Sequence, residues 1–367
     1  FDATGVNWLS DHSFRIYPFA TDNIGNQQPI PSGYTLYFDT TPPTSGITYP
    51  QDTAKLNFIP TISGSANADL SGLNDVEIKI SSWTGTGWGV VSTVSKPQVS
   101  VYLSSWVYTG LSGLTDGTTY QVVAKAQDKS TNWSAVYSTR TFIYDISPPA
   151  ISVTKPIAER YYGNNSAEPD YYLPTFTGTS SDAFGVDKVE IQLFDVLSSS
   201  YWLTTGWTVG VSSWHYAGKE SWQYTTPSLG DGRRYRLEVR AADLAGNLSS
   251  YTTRFFFYDL TPPQVLIWKP DQDFHNNLPT LSGTAWDPVS VGPYRSKLNK
   301  VRIRIEQDPQ EAGNWWDNTL KSFTILDGDK DTAWYDASGI QSGEIADDWF
   351  VTLSLIHISE PTRQAEI

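Results

Sequence analysis

Three short motifs recur in fixed order along this chain of 367 residues, and they restrict its fold more than any other feature. The first, P-T-x-[ST]-G-[ST], occupies 60–65, 174–179 and 279–284. The second is D-G-x-x-Y followed by A-x-D-x-x-[GT]-N. It reads Asp116, Gly117, Tyr120, Ala126, Asp128, Asn132 in one copy and Asp231, Gly232, Tyr235, Ala241, Asp243, Gly246, Asn247 in the next. Phe14, Ala20, Asp22, Gly25 and Asn26 repeat its tail near the N-terminus. The third is D-x-[TS]-P-P with a proline downstream: Asp39 and Pro50, Asp145 and Pro156, Asp259 and Pro270. A repeat of this length is read before any local signal, because each copy is one folding unit.

The spacing sets the size of that unit. Asp39, Asp145 and Asp259 stand 106 and 114 residues apart, room for about seven strands at 8–12 residues per strand and turn. After each first motif comes an apolar alternation: Val76, Ile78, Ile80; Val189, Ile191, Leu193; Val301, Ile303, Ile305. Polar residues stand between them, so each predicts a strand with one wet face. The D-G pair predicts a turn with glycine at positive φ, and the aromatic after it starts a strand through Tyr120, Val122, Ala124 or Tyr235, Leu237, Val239. Its hydroxyl is placed to tie back to nearby backbone, a tie Phe14 cannot make. In A-x-D-x-x-[GT]-N, Asp is expected to cap a hairpin loop while Gly or Asn takes left-handed backbone. Last strands follow at 141–144 and 254–258, and Pro-Pro ends each and stiffens the passage to the next repeat.

Composition excludes several classes of function. The net charge is −14, which argues against nucleic acid or an anionic membrane as partner, since both need clustered Lys and Arg. There is no cysteine, hence no disulfide and no thiolate metal site. No apolar run approaches the roughly 18 residues of a spanning helix. The chain begins inside a motif and has no methionine, which reads as a fragment.

The segments LTDGTTYQVVAKAQDKSTN and LGDGRRYRLEVRAADLAGN, with the junctions DTTPP, DISPP and DLTPP, resemble bacterial Ig-like repeats, which share features with fibronectin type III modules. The resemblance covers residues 1 to about 352. It implies an all-β fold of tandem immunoglobulin-like β-sandwich domains in series, on a secreted or cell-surface bacterial protein, where such repeats act as spacers, stalks or adhesive arms. The copies divide as 1–38, the end of a truncated repeat; 39–144 and 145–258, complete repeats; and 259–352, a truncated one. Residues 353–367, LSLIHISEPTRQAEI, resemble the translation of a transposon-end sequencing adapter. If Phe350 corresponds to Tyr120 and Tyr235, Ala is due at 356 and Asp at 358, where Ile356 and Ile358 stand instead. On that reading His357 and Glu360 are not site candidates.

Candidate chemistry is sparse, and no catalytic, cofactor-binding or metal-binding residue is assigned. His12, His215 and His275 fall in different repeats at unmatched positions, whereas a catalytic site needs convergent groups. Asp182 with Asp187, or Asp327, Asp329 and Asp331, are possible paired acids but read as loop and turn residues. The run DGDKD from Asp327 resembles the start of a calcium loop, but its twelfth position holds Ser338 rather than a bidentate glutamate. Calcium at the junctions is the alternative weighed: Asp22 with Asp39, Asp128 with Asp145, and Asp243 with Asp259 each give two regular carboxylates. Calcium needs more oxygens than that, and Asp271 with Asp273 has no counterpart elsewhere. Of the 15 tryptophans, Trp106, Trp222 and Trp334 form one repeated set and Trp88, Trp207 and Trp316 a second, both expected in the core. Trp83, Trp202 and Trp214 are the candidates for stacking on sugar rings. The function expected is a non-catalytic spacer or adhesive region whose partners are neighbouring repeats and surface glycans or proteins. The alternative is a carbohydrate-binding array attached to a polysaccharide-degrading enzyme.

Overall fold

The computed structural model describes residues 3–67, 71–275, 278, 280–288, 292–307, 314–320, 322–339 and 346–352. The chain is nearly all β. By its contacts it divides into two compact units: residues 1–151 with 180–189 and 240–250, and residues 152–179 with 190–239 and 251–367.

In the first unit, β1 (His12–Ile16) and β2 (Tyr34–Phe38) form a two-stranded antiparallel sheet. There follow β3 (Thr44–Tyr49), β4 (Ala54–Leu56), β5 (Ile62–Asn67), β6 (Leu73–Trp83), β7 (Trp88–Val94), β8 (Val99–Val101), β9 (Ser105–Tyr108), β10 (Thr118–Asp128) and β11 (Ser138–Tyr144). One sheet runs β4-β11-β10-β6-β7 and the other β3-β5-β9-β8. Burial alternates along β10, where Tyr120, Val122, Ala124 and Ala126 point inward. They meet Val76, Ile78 and Ile80 of the same sheet and Ile47, Ile62 and Trp106 of the other in a single apolar core. That is the period-two pattern read from sequence, with both sheets contributing a face, which makes a β-sandwich.

The next strands are β12 (Ala150–Lys155), β13 (Arg160–Tyr162), β14 (Thr175–Ser181), β15 (Val186–Asp195), β16 (Ser200–Leu203), β17 (Gly206–Val209), β18 (His215–Gly218), β19 (Ser221–Thr225), β20 (Arg233–Asp243) and β21 (Thr252–Tyr258). They give the sheets β12-β14-β19 and β13-β21-β20-β15-β16-β17, with β18 also on β15. Val189, Ile191 and Leu193 are buried, as are Tyr235, Leu237 and Val239. Phe176 of the smaller sheet meets Phe256 of the larger with ring centroids 5.8 Å apart.

The last strands are β22 (Gln264–Lys269), β23 (Thr280–Trp286), β24 (Arg302–Ile303), β25 (Trp315–Asp317), β26 (Ser322–Ile325), β27 (Tyr335–Asp336) and β28 (Ala346–Thr352). They form the sheet β22-β23-β28 and two pairs, β24-β27 and β25-β26. The core here is smaller: Ala285, Leu298, Val301 and Trp349, with Leu281, Ile303 and Ala337 against it.

The glycine of P-T-x-[ST]-G-[ST] has a packing role. A Cβ on Gly64 would overlap the Trp106 indole and the Gly46 carbonyl. Gly178 meets Trp222 and the Ser152 carbonyl in the same way, and Gly283 meets Trp349 and the Leu266 carbonyl. Each tryptophan lies on the strand paired with the motif strand: β9 on β5, β19 on β14, β28 on β23. Trp106 and Trp222 are therefore core residues, as expected. The third member of the set is Trp349, not Trp334, which is exposed. The register assumed for Phe350 changes with it. Phe350 lies beside the motif strand like Val107 and Gln223, so it is not the counterpart of Tyr120. Ile356 and Ile358 are consequently not at the Ala and Asp positions of the second motif. Residues 353–367, with His357 and Glu360, lie outside the described residues, as does Pro279.

Candidate functional site: the junctions between repeats

The tyrosine ties form as expected. Tyr120 Oη accepts a hydrogen bond from the Thr115 N–H at 2.8 Å, and Tyr235 Oη accepts one from Gly230 N–H at 2.7 Å. Burial pushes the Tyr235 hydroxyl well above its ordinary pKa. The D-G turns place Gly117 at φ 70° and Gly232 at φ 65°, a region glycine enters without a Cβ penalty.

The A-x-D loops cap themselves as expected, with one difference. Asp128 Oδ1 accepts the Asn132 N–H at 2.8 Å, and Asn132 Nδ2 donates to Asp128 Oδ2 at 2.9 Å. Asp243 with Asn247, and Asp22 with Asn26, repeat the arrangement. The Asn26 backbone and amide hold the exposed Asp22 carboxyl below its usual pKa. Left-handed backbone falls at Gly25, Thr131 and Gly246, and the asparagine instead reaches outward. Asn132 Nδ2 donates to the Asp39 carbonyl at 3.1 Å, and Asn247 Nδ2 to the Asp145 carbonyl at 2.8 Å.

Those contacts correct the pairing of loops with junctions. The loop carrying Asp128 meets the junction at Asp39, and the loop carrying Asp243 meets the junction at Asp145. Neither meets the junction that follows it. The reason is strand direction. β11 runs antiparallel to β10, so the chain returns the length of the sheet before reaching the next junction. The D-G turn, at the opposite end of β10, is what meets that next junction.

The aspartate of the D-G turn is a junction residue that sequence reasoning treated only as a turn former. Asp116 Oδ1 accepts the Ile146 N–H at 2.8 Å, and its Oδ2 accepts the Ser147 hydroxyl at 2.6 Å. These bonds hold the Asp116 carboxyl below its ordinary pKa. Asp231 takes the Leu260 N–H and the Thr261 hydroxyl in the same way, and Asp11 takes the Thr41 hydroxyl. The signal was available: Asp11–Thr41, Asp116–Ser147 and Asp231–Thr261 are separated by 30, 31 and 30 residues. The junction at 145–149 is thus gripped from both sides, by Asp116 and by Asn247, whose Oδ1 in turn accepts from Asn57 Nδ2 at 3.1 Å.

Three carboxylates gather there. Asp145, Asp182 and Asp243 each present an oxygen within 4.8 Å of the others. Asp145 is only 1% exposed; its Oδ1 accepts the Ser147 N–H at 3.2 Å and its Oδ2 has no donor. Burial raises its pKa above the ordinary range, and Asp182, Asp243 and Asp116 raise it further. Asp182, read from sequence as a loop residue rather than the partner of Asp187, lies here: its Oδ1 accepts from Phe184 and Gly185 N–H, and Asp187 lies exposed on β15. Asp287 repeats part of the pattern. It stands four residues after Gly283, as Asp182 stands four after Gly178, and it is buried with Oδ1 unpartnered.

The other candidates have local partners. His12 Nδ1 bonds the Ser10 carbonyl at 2.7 Å and His215 Nε2 the Trp202 carbonyl at 2.9 Å, while His275 faces Asp271 at 3.9 Å. Asp271 and Asp273 are exposed. Asp327, Asp329 and Asp331 lie in a 3-10 turn, with Asp327 bonded by Trp315 Nε1 and Asp331 facing Arg304 at 3.5 Å. Trp83 and Trp88 face each other across a hairpin, centroids 5.3 Å apart, and are 47% and 39% exposed. Trp202 and Trp207 pair across the next hairpin, β16–β17. That is one strand beyond β15, the counterpart of the β6 that carries Trp83, so Trp83 and Trp202 do not occupy matching positions. Trp316 packs on Phe323, and Trp214 on Tyr251. The second set is not a core set: Trp88 is exposed, and Trp207 and Trp316 are only half-buried.

Residues 179–269 match the family of bacterial Ig-like domains (group 3). No curated protein matches the chain. Among solved structures, the fibronectin(III)-like modules of Clostridium thermocellum CbhA are 15% identical, with TM-score 0.34, covering 59% of this chain and 95% of theirs. The FN1–FN3 domains of chicken CNTN1 are 15% identical, with TM-score 0.32, covering 67% of this chain and 75% of that one.

Proposed function

We propose that the chain is a non-catalytic spacer, a series of Ig-like repeats (39–144, 145–258, 259–352) that carries load between other parts of a secreted or cell-surface bacterial protein. The observation behind this reading is how the repeated polar residues are used. Asp116, Asp231, Asn132 and Asn247 all bind junction backbone or a junction hydroxyl, and none is left to converge on a cleft. A second observation is the pairing of early and late strands. β4 pairs in parallel with β11, and β13 with β21. Tension applied at the two ends of a repeat would load those hydrogen bonds together rather than one at a time. The Ig-like modules matched at 179–269 are generally non-catalytic, and no described helix is long and apolar enough to cross a membrane.

Carbohydrate binding is the second reading, favoured by one feature, the exposed Trp83–Trp88 pair. Trp202 is a weaker candidate, because its Nε1 donates to Tyr224 Oη at 3.2 Å and Trp207 packs on Tyr235. A glycan array separates the two readings. The spacer reading expects no sugar binding at micromolar concentration, and binding abolished by Trp83→Ala or Trp88→Ala overturns it.

A further inference from the structure

We infer that Asp145, Asp182 and Asp243 form a binding site for a hard divalent cation of the calcium type, set at the junction at 145–149. Three carboxylate oxygens lie within 4.8 Å of one another. Two ligands on opposite sides of an ion stand about 4.8 Å apart when each is about 2.4 Å from it, the calcium–oxygen distance, so oxygens no farther apart than this can share one ion. Clustering of acids alone would mean little, but one of these side chains is left in a state that a cation explains. Asp145 is 1% exposed, and its Oδ2 has no donor from protein. A buried carboxylate oxygen with no partner carries a desolvation cost, and such groups are normally paired or bound to metal.

The other two carboxylates are oriented before any ion arrives. Asp243 Oδ1 accepts from the Ala245 and Asn247 N–H groups and its Oδ2 from Asn247 Nδ2, each at 2.8 Å. Asp182 Oδ1 accepts from Phe184 N–H at 2.8 Å and Gly185 N–H at 3.1 Å. The two Oδ1 atoms spend both lone pairs on these N–H donors, whereas Asp243 Oδ2, with one donor, keeps a lone pair for an ion, and Asp182 would coordinate through its Oδ2. With three carboxylates supplied, water completes the six to eight oxygens calcium takes. Magnesium demands a tighter octahedron and releases water reluctantly, so it is the poorer fit. Asp145 opens the repeat 145–258, Asp182 follows β14 and Asp243 ends β20 of that same repeat, so the ion would fasten the start of the repeat, at the junction that Asp116 and Asn247 already grip. The inference holds whether or not the repeats serve as spacers.

The test is calorimetric titration of the full chain with calcium, then with magnesium, after chelator treatment, alongside thermal unfolding with and without each ion. Calcium should bind saturably and raise the unfolding temperature, with magnesium at least tenfold weaker. Asp182→Asn and Asp145→Asn should each weaken calcium binding at least tenfold, while the exposed Asp187→Asn, on β15, should bind as the parent does. Asp145→Asn also removes a buried charge, so its fold should survive without the ion, which keeps the test valid if Asp182→Asn fails to fold. No saturable calcium effect at millimolar concentration overturns the site. So does calcium binding unchanged in Asp145→Asn, or weakened equally by Asp187→Asn.

Discussion

At the scale of single residues, the repeat preserves positions that hold backbone in place. Tyr235 is buried, and its hydroxyl accepts the Gly230 N–H. Tyr235→Phe leaves that donor without its partner and should cost about 1 kcal/mol in chemical denaturation, with little change in slope. Thr131 is the opposite case, a β-branched residue at φ 73° where the sister loops carry glycine. Left-handed backbone costs such a residue roughly 1–2 kcal/mol, partly offset by the greater unfolded-state entropy of glycine. Thr131→Gly should therefore stabilise the chain by about 0.5–1 kcal/mol in the same assay, and destabilisation would contradict the strain argument. The tyrosine tie was legible because it closes over five residues, within reach of a local motif. The Asn132 contact to Asp39 was not, since 93 residues separate the two and only strand direction brings them together.

At the scale of strands, alternation gave the core faces of β10 and β20 without error, because burial on one side of a sheet leaves a period-two trace. It failed for the last copy. β24 spans only two residues, and Trp334 stood near the position where a repeated tryptophan was due. What identifies Trp349 is the glycine facing it, and that contact links strands about 66 residues apart (349 minus 283). The same contact carries a prediction. Gly178→Ala would force a methyl into the Trp222 indole and the Ser152 carbonyl, and should cost 1–3 kcal/mol or more by overpacking; a neutral result would refute the close approach. A second concerns pH. Asp52 Oδ1 accepts the Thr141 N–H at 2.8 Å and its hydroxyl at 3.0 Å, tying the start of a repeat to β11 and lowering the Asp52 pKa from its ordinary 3.8. A lowered carboxylate contributes stability that is present above the unfolded pKa and lost as pH falls through the folded one. The stability difference between parent and Asp52→Ala should thus shrink as pH drops below about 4, and a difference that grows there would contradict the assignment.

At the scale of the whole chain, the account is of repeats whose regular positions serve cores, turns and junctions. The junction itself was only half legible. Both repeated motifs at its two sides were visible, but the A-x-D loop was paired with the wrong junction and the D-G turn with none until strand direction was known. Stretching the full chain between two handles tests the central claim most directly, because a load-bearing repeat must give way as a unit. Each complete repeat of 106 or 114 residues should unfold in one abrupt step, releasing roughly 350 Å of chain at about 3.3–3.6 Å per residue. Substituting Pro at Phe142, which removes a backbone donor from β11, should lower the force of one step and leave the other unchanged. Gradual extension without steps would contradict the claim that these repeats bear load.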